Sequence, residues 1–385
     1  MAACGREKTM MNNFMMQAEP AYFVPAEFDR LLMFLHGLGT SDITIQSGEN
    51  VIADIQGLLY RVTTRKLTQQ EVSDLINHIY GPNATAQVQS GTDLDTGYQL
   101  TTEEGIFRYR VNITACQFQS YNGLQVTLRT ITATPPELET MDLDQSLYES
   151  LKVPQGVVVI SGATGSGKST LLASLIASFL KNPDSHLKIL TYESPIEYTY
   201  DNVDKVSSVV SQSEIPRHLP SFAAGVRNAL RRKPGLILVG EARDKPTLEA
   251  VIEASLTGHP VYTTVHSNGV VDSFRRMVNL FAAEERQSRL YDLIETVRVI
   301  IWQALVPTIA GTRTVIREYL VITDDIKDQL YRSTAENMTV ALKDILIKFG
   351  RPLYEDIQLK LDAGVITEHT ARKYILTRNG QEMEI

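Results

Sequence analysis

The chain has 385 residues, 43% hydrophobic and 21% charged, and 37 Lys and Arg against 45 Asp and Glu give a net charge of −8. That length suits two domains with a disulfide-free core, and the composition excludes a disordered or fibrous chain. The acidic balance disfavours DNA or RNA wrapping, and two cysteines, Cys4 and Cys116, make neither a disulfide framework nor a metal cluster, which suits a reducing cytoplasm.

Residues 1–20 carry Arg6, Lys8 and four methionines (Met10, Met11, Met15, Met16) without a continuous apolar stretch. They read as a flexible tail rather than a signal peptide, with an apolar contact strip as the alternative. Residues 21–133 read as an α+β N-terminal domain. Ala26 to Leu38 has helical apolar spacing and ends at Gly37 and Gly39. Ile43 to Gln46 and Val51 to Tyr60 read as strands around a turn at Gly48-Glu49-Asn50. Thr68-Gln-Gln-Glu71 is a capping box opening a helix that should stop near Gly81-Pro82. Tyr98 to Leu100, Gly105 to Thr114 and Gly123 to Ile131 read as strands, the last two joined by a turn at Tyr121-Asn122-Gly123.

The proline-bearing stretch Thr132 to Glu137 opens a linker, taken as 134–152, with a short helix from Leu143 to Leu151. From 153 to 324, short apolar runs (Val157 to Ile160, Leu187 to Thr191, Leu236 to Val239, Val261 to Val265) alternate with helical segments, predicting a mostly parallel sheet covered on both faces. Thr314 to Ile322 is a later alternating strand. Residues 325–385 read as a helical extension broken near Gly350-Arg-Pro352 and at Gly364. No apolar run approaches the ~18–20 residues needed to span a bilayer. The longest, Val299 to Ala310, is interrupted by Gln303 and Pro307.

Gly162-Ala163-Thr164-Gly165-Ser166-Gly167-Lys168-Ser169 matches G-x-x-x-x-G-K-[ST], follows a β-branched run and opens a helix from Thr170. Such a loop points successive N–H groups at a β-phosphate, while Lys168 bridges β- and γ-oxygens and Ser169 ligates Mg²⁺. Glu241 ends the buried run Leu236 to Val239, at the strand end where ligands sit in an open α/β sheet. A carboxylate there orients and deprotonates an attacking water. Glu193 and Glu197, in Tyr192-Glu-Ser-Pro-Ile-Glu197, are candidates for Mg²⁺-water coordination or water positioning, with a solvated acidic turn as the alternative. His259 and His266 flank the next strand and are candidates for sensing the γ-phosphate. Arg108, Arg110 and Arg129 are candidates for neutralising phosphoryl charge, although alone they read as solvated strand faces. Arg227, Arg231, Arg232 and Lys233 need no role beyond the helix dipole, with lining of a central pore or a subunit seam as the alternative.

Together these residues resemble the secretion-superfamily ATPases, which comprise pilus-retraction (PilT-like) and type II and type IV secretion motors. The resemblance rests on the Walker A loop, Glu193-Ser-Pro-Ile-Glu197, Gly235 to Asp244 and the histidine region from Thr257 to His266. In the first domain it rests on Ser41-Asp-Ile-Thr-Ile45 and Arg108-Tyr-Arg-Val-Asn112. The serine in the first acidic motif, Ala-Leu-Arg-Arg-Lys-Pro234 and Gly-Glu-Ala-Arg-Asp244 look like the DotB-like subgroup of Dot/Icm-type (type IVB) secretion and related conjugation systems. The resemblance implies an α/β fold: a RecA-like P-loop C-terminal domain, a smaller α+β (PAS-like) N-terminal domain and a helical C-terminal extension. It implies a cytoplasmic homo-hexameric ATP hydrolase, recruited to the inner membrane's cytoplasmic face by secretion-complex proteins, using ATP and Mg²⁺; the acidic balance argues against direct nucleic-acid binding. By motif it assigns the loop and Thr170 to nucleotide, Glu241 to the catalytic water, Glu193 and Glu197 to assistance, and His266 to the γ-phosphate. Arg110 and Arg129 match the family's reaching arginines, and Ser169, Glu193 and Glu241 become the metal's oxygen donors. Pilus retraction, or a nucleotide-gated assembly scaffold that hydrolyses little, are the alternatives. Two departures stand out: Ser194 and Gly235 replace the usual aspartates.

Overall fold

The computed structural model describes residues 14–55, 57–103, 105–131 and 134–379, with side chains as far as 374. Met10 and Met11 lie outside them. The described residues among 1–133 and 194–199 form one compact unit, and those among 134–193 and 200–385 form the other.

In the first unit the capping box at Thr68 opens its helix as the spacing predicts. The elements are α1 (Pro25–Gly37), β1 (Thr40–Gln46), β2 (Ile52–Ile55), β3 (Leu58–Arg61), α2 (Gln69–Tyr80), α3 (Ala84–Gln89), β4 (Leu94–Thr102), β5 (Gly105–Phe118) and β6 (Tyr121–Ile131). The strands form one antiparallel sheet in the order β3-β2-β1-β6-β5-β4. Alternate residues Ile43, Ile45, Val111, Ile113, Val126 and Leu128 are buried in one cluster with Phe28, Leu31 and Leu35 of α1 and Val72, Leu75 and Ile76 of α2.

Two turns differ from expectation. The run from Val51 to Tyr60 is a hairpin rather than one strand, because Ile55 pairs with Leu58 and Gly57 sits at φ +83°. The β5–β6 turn falls at Gln119-Ser120, with Gln119 left-handed at φ +52°, and Asn122 and Gly123 are strand residues. Residues 14–20, expected in the tail, are bound in: Met16 is buried, its N–H donates to Val62 O at 2.9 Å, and Glu19 accepts from Thr64 N at 2.6 Å.

Glu71 is fully buried and accepts from both terminal nitrogens of Arg65 (2.5 and 3.0 Å), from Phe23 N (2.7 Å), and from Thr68 N (2.8 Å) and Oγ1 (2.9 Å). Burial opposes its ionisation, but these donors outweigh burial and hold the carboxyl at about 2 instead of 4.5. Its contribution is therefore complete above about pH 4.5 and disappears as pH falls from there to about 2. Glu71→Gln should cost about 3 kcal/mol at pH 7 and flatten the stability profile in that window. Urea unfolding followed by circular dichroism at pH 7 and pH 3 checks this; the same acid sensitivity in variant and wild type would refute it.

The second unit opens with a 3₁₀ turn (Leu138–Met141). It continues with α4 (Gln145–Ser150), β7 (Gly156–Ser161), α5 (Lys168–Lys181), β8 (Lys188–Glu193), β9 (Val209–Glu214), α6 (Phe222–Ala229), β10 (Leu236–Val239), α7 (Lys245–Leu256), β11 (Pro260–Val265), α8 (Val270–Asn279), α9 (Arg286–Thr296), β12 (Val297–Pro307) and β13 (Arg313–Val321). Four helices close it: α10 (Asp324–Leu330), α11 (Met338–Phe349), α12 (Leu353–Asp362) and α13 (Glu368–Asn379). The sheet order is β13-β12-β7-β11-β10-β8-β9, parallel except for β13.

The predicted two-sided burial is visible along β7. Val157 and Val159 enter the core shared with Phe222, Val251, Phe274 and the C-terminal helices, while Val158 and Ile160 enter the core under α4 and α5. The expected linker segment lies against α5: Ser174 Oγ donates to Pro136 O at 2.7 Å and Lys181 pairs with Glu137 at 2.6 Å. Among the described residues no helix is long and apolar enough to cross a membrane.

Candidate phosphate-binding and hydrolytic site

The loop from Gly162 to Gly167 joins β7 to α5, and Gly167 caps the helix at φ +85°. Gly162 and Gly165 also lie at positive φ, +144° and +76°. A Cβ at Gly162 would meet Gln303 O at 2.3 Å and Ser166 Oγ at 2.6 Å, so the backbone is pressed against β12 where only glycine fits. Lys168 is buried, and its ammonium donates to Gly162 O at 3.0 Å and Ala163 O at 2.8 Å. Ser166 Oγ is buried and has no hydrogen-bond partner among the described residues. A glycine-permitted curl at a helix N-terminus with an ammonium beside it is an anion cradle, and these residues fit a nucleotide's phosphates. Ser169 and Thr170 begin the helix behind it.

The carboxyl edge of the sheet supplies the acids. Strand β11 lies between β7 and β10, so His266, just past β11, stands between the loop and Glu241, just past β10. His266 Nε2 is 3.8 Å from Glu241 Oε1. Burial lowers the imidazole's pKa, the Lys168 charge lowers it further, and Glu241 opposes both, so His266 is neutral at neutral pH. Glu193 ends β8, and its Oε1 accepts from Thr191 Oγ1 at 2.6 Å and Gln212 Nε2 at 3.0 Å. Ser169, Glu193 and Glu241 offer hard oxygen donors, as Mg²⁺ prefers, and no cluster of three or more His, Cys, Asp or Glu arranged for a metal occurs among the described residues.

Gly235 lies at the opposite end of β10 from Glu241. A Cβ there would meet Leu187 Cδ2 at 3.0 Å and Lys188 N at 3.2 Å, so the usual aspartate is absent where space is tight. His259 precedes β11 at that far end, and its Nδ1 lies 3.2 Å from Ala254 O; it does not join His266. In the basic cluster, Arg232 donates to Ser211 Oγ at 3.0 Å and its carbonyl accepts from Lys188 at 3.1 Å, while Arg227, Arg231 and Lys233 are exposed.

The remaining predicted residues belong to the first unit. Glu197 lies in the 194–199 segment that groups with it, 4.0 Å from Arg110. Arg108 is buried and donates to Ile196 O at 2.9 Å and Glu197 O at 3.2 Å. Arg129 is exposed and paired with Asp42 at 2.9 Å. Sequence reasoning missed Gln303 and Arg317, which back the loop from β12 and β13. The polar interruption of the apolar run at Gln303 was the available signal.

The family model described as type II/IV secretion system protein matches residues 38–341. The X-ray structure of the ATPase DotB of Legionella pneumophila is similar with a TM-score of 0.89 at 49% identity, over 96% of this chain and 99% of that one. The type IV pilus retraction ATPase PilT of Pseudomonas aeruginosa is 30% identical over 317 residues, 82% of this chain and 89% of that protein. A crystal structure of the pilus retraction motor PilT with bound ADP has a TM-score of 0.77 at 26% identity, over 90% of this chain and 96% of that one.

Proposed function

The chain belongs to the type II/IV secretion system protein family, and from that premise we propose that it hydrolyses ATP as a ring-forming motor of a type IVB (Dot/Icm-like) secretion or conjugation apparatus. The observation that carries the reading is the row of Lys168, His266 and Glu241 along one sheet edge beside a glycine-permitted anion cradle. The loop's N–H groups and Lys168 hold the β- and γ-phosphates. Glu241 orients the attacking water and takes its proton, and neutral His266 hydrogen-bonds the γ-phosphate. Glu193, fixed by Thr191 and Gln212, orders the surrounding water. Ser169, Glu193 and Glu241 would hold Mg²⁺, which when bound would neutralise phosphate charge. Glu197, Arg110 and Arg129 are assigned from the first unit to assist and to neutralise charge.

The similarity to DotB at 49% identity favours secretion. The similarity to PilT carries the second reading, pilus retraction by the same chemistry. We assign the protein to the cytoplasm, as a homo-hexamer brought to the inner membrane by protein partners and not by nucleic acid.

Phosphate release by the purified chain tests the chemistry: the expected result is turnover with Mg²⁺ and ATP that EDTA stops, and no release above the blank overturns it. Light scattering with and without ATP tests the ring. Capture from membranes separates the two machines, through secretion-channel components in one case and pilus components in the other.

A further inference from the structure

Gln303 and Arg317 are directly opposed residues of the β12–β13 ladder, 2% and 5% exposed. Gln303 Nε2 donates to Ser166 O in the phosphate loop at 2.9 Å, and Arg317 Nε donates to Gln303 Oε1 at 3.3 Å. The remaining guanidinium nitrogens donate to Met141 O at 2.6 Å and Asp142 O at 2.5 Å. Those carbonyls close the 3₁₀ turn where the chain enters the second unit, and Asp142 is left-handed there at φ +49°. Lys360 of α12 pairs with the Asp142 carboxylate. Burial pulls the Arg317 guanidinium down to about 10, which leaves it protonated at neutral pH.

The amide has one consistent orientation. Arginine has no acceptor, so the glutamine oxygen must face Arg317 and its NH₂ must face the loop carbonyl. In a trans peptide the C=O and N–H point opposite ways, so holding Ser166 O toward Gln303 aims the Gly167 N–H away from Gln303. Truncating the guanidinium leaves Gln303 Oε1 buried without its donor, and the amide is then free to turn and release the loop. Asp142, Asp144 and Asp356 offset part of the cost of burying this cation, and burial still outweighs them.

We propose that Arg317 is a positioning residue that acts through Gln303 to set the Gly167 N–H of the phosphate loop and ties that loop to the Met141-Asp142 turn. A displacement of the entering chain thereby reaches the phosphate-binding amides. This rests on the reading of the loop as a nucleotide site.

The test uses the full chain, with calorimetric binding of Mg–ADP and steady-state ATP hydrolysis. Arg317→Met and Gln303→Met should each weaken ADP binding about tenfold. Each should raise KM for ATP similarly, with kcat changed less than about threefold, as for uniform binding. The double variant should be no weaker than the worse single one, because both act at one bond. Arg317→Lys, which keeps charge but not the fork, should fall between. Lys327→Met, in α10 and paired with Glu295 and Asp324, should lower Tm without moving ADP affinity. Unchanged ADP affinity in Arg317→Met, or additive losses in the double variant, overturns the inference. If Arg317→Met does not fold, Gln303→Met and Arg317→Lys decide it by the same measures. A wild-type chain that binds no ADP overturns the nucleotide reading, and this inference with it.

Discussion

Glu241→Gln is expected to lower ATP turnover at least about a hundredfold while leaving ADP affinity within about threefold of wild type. The substitution preserves size and hydrogen-bonding reach at the end of β10 but removes the proton acceptor. Positioned general bases contribute roughly 10²–10⁴ in rate, which sets the size of the loss. Affinity should survive because the groups proposed to hold phosphate, the loop amides and Lys168, lie across β11 from Glu241, and the glutamine amide keeps an oxygen for Mg²⁺. Phosphate release at saturating ATP, beside calorimetry with Mg–ADP, measures both halves. Turnover above about a tenth of wild type would overturn Glu241 as the base.

What the sequence made legible was what lies within one contiguous stretch. The phosphate loop is eight consecutive residues between a β-branched run and a helix, and its geometry follows from local backbone freedom at Gly162, Gly165 and Gly167. Glu241 was legible because it ends a four-residue run that is buried throughout. Thr68 and Glu71 were legible as a capping pair, but the near-total burial of Glu71 was not, since Arg65 and Phe23 reach it from outside the helix. The turn at Gln119-Ser120 was missed because Asn122-Gly123 is the stronger local turn signal, and the β5–β6 register overrides it. Strand β12 was read only as an apolar run too polar for a membrane, because a buried parallel strand has no alternation to betray it. Gln303 and Arg317 acquire meaning only through pairings across 137 residues to Ser166 and 175 to Asp142, which no window of sequence contains.

The backing of the loop by β12 also predicts that its glycines are unequal. Gly162→Ala should abolish measurable ADP binding, a loss of more than about a hundredfold, and take turnover to background. Gly165→Ala should stay within about tenfold of wild type. Both glycines hold positive φ, which costs an alanine roughly 1–3 kcal/mol. At Gly165 that is the whole penalty, because nothing lies within 4 Å of where the alanine methyl would sit. At Gly162 the added carbon meets a backbone oxygen, Gln303 O, at 2.3 Å. That oxygen cannot retreat cheaply: its strand is hydrogen-bonded to β7 and β13, and Ser161 Oγ donates to Ile301 O two residues before it at 3.0 Å. The loop must yield instead, carrying the carbonyls that seat Lys168 out of place. Calorimetry on the two variants measures the contrast. Equal losses would mean that backbone strain alone, and not the wall formed by β12, dictates glycine in this loop.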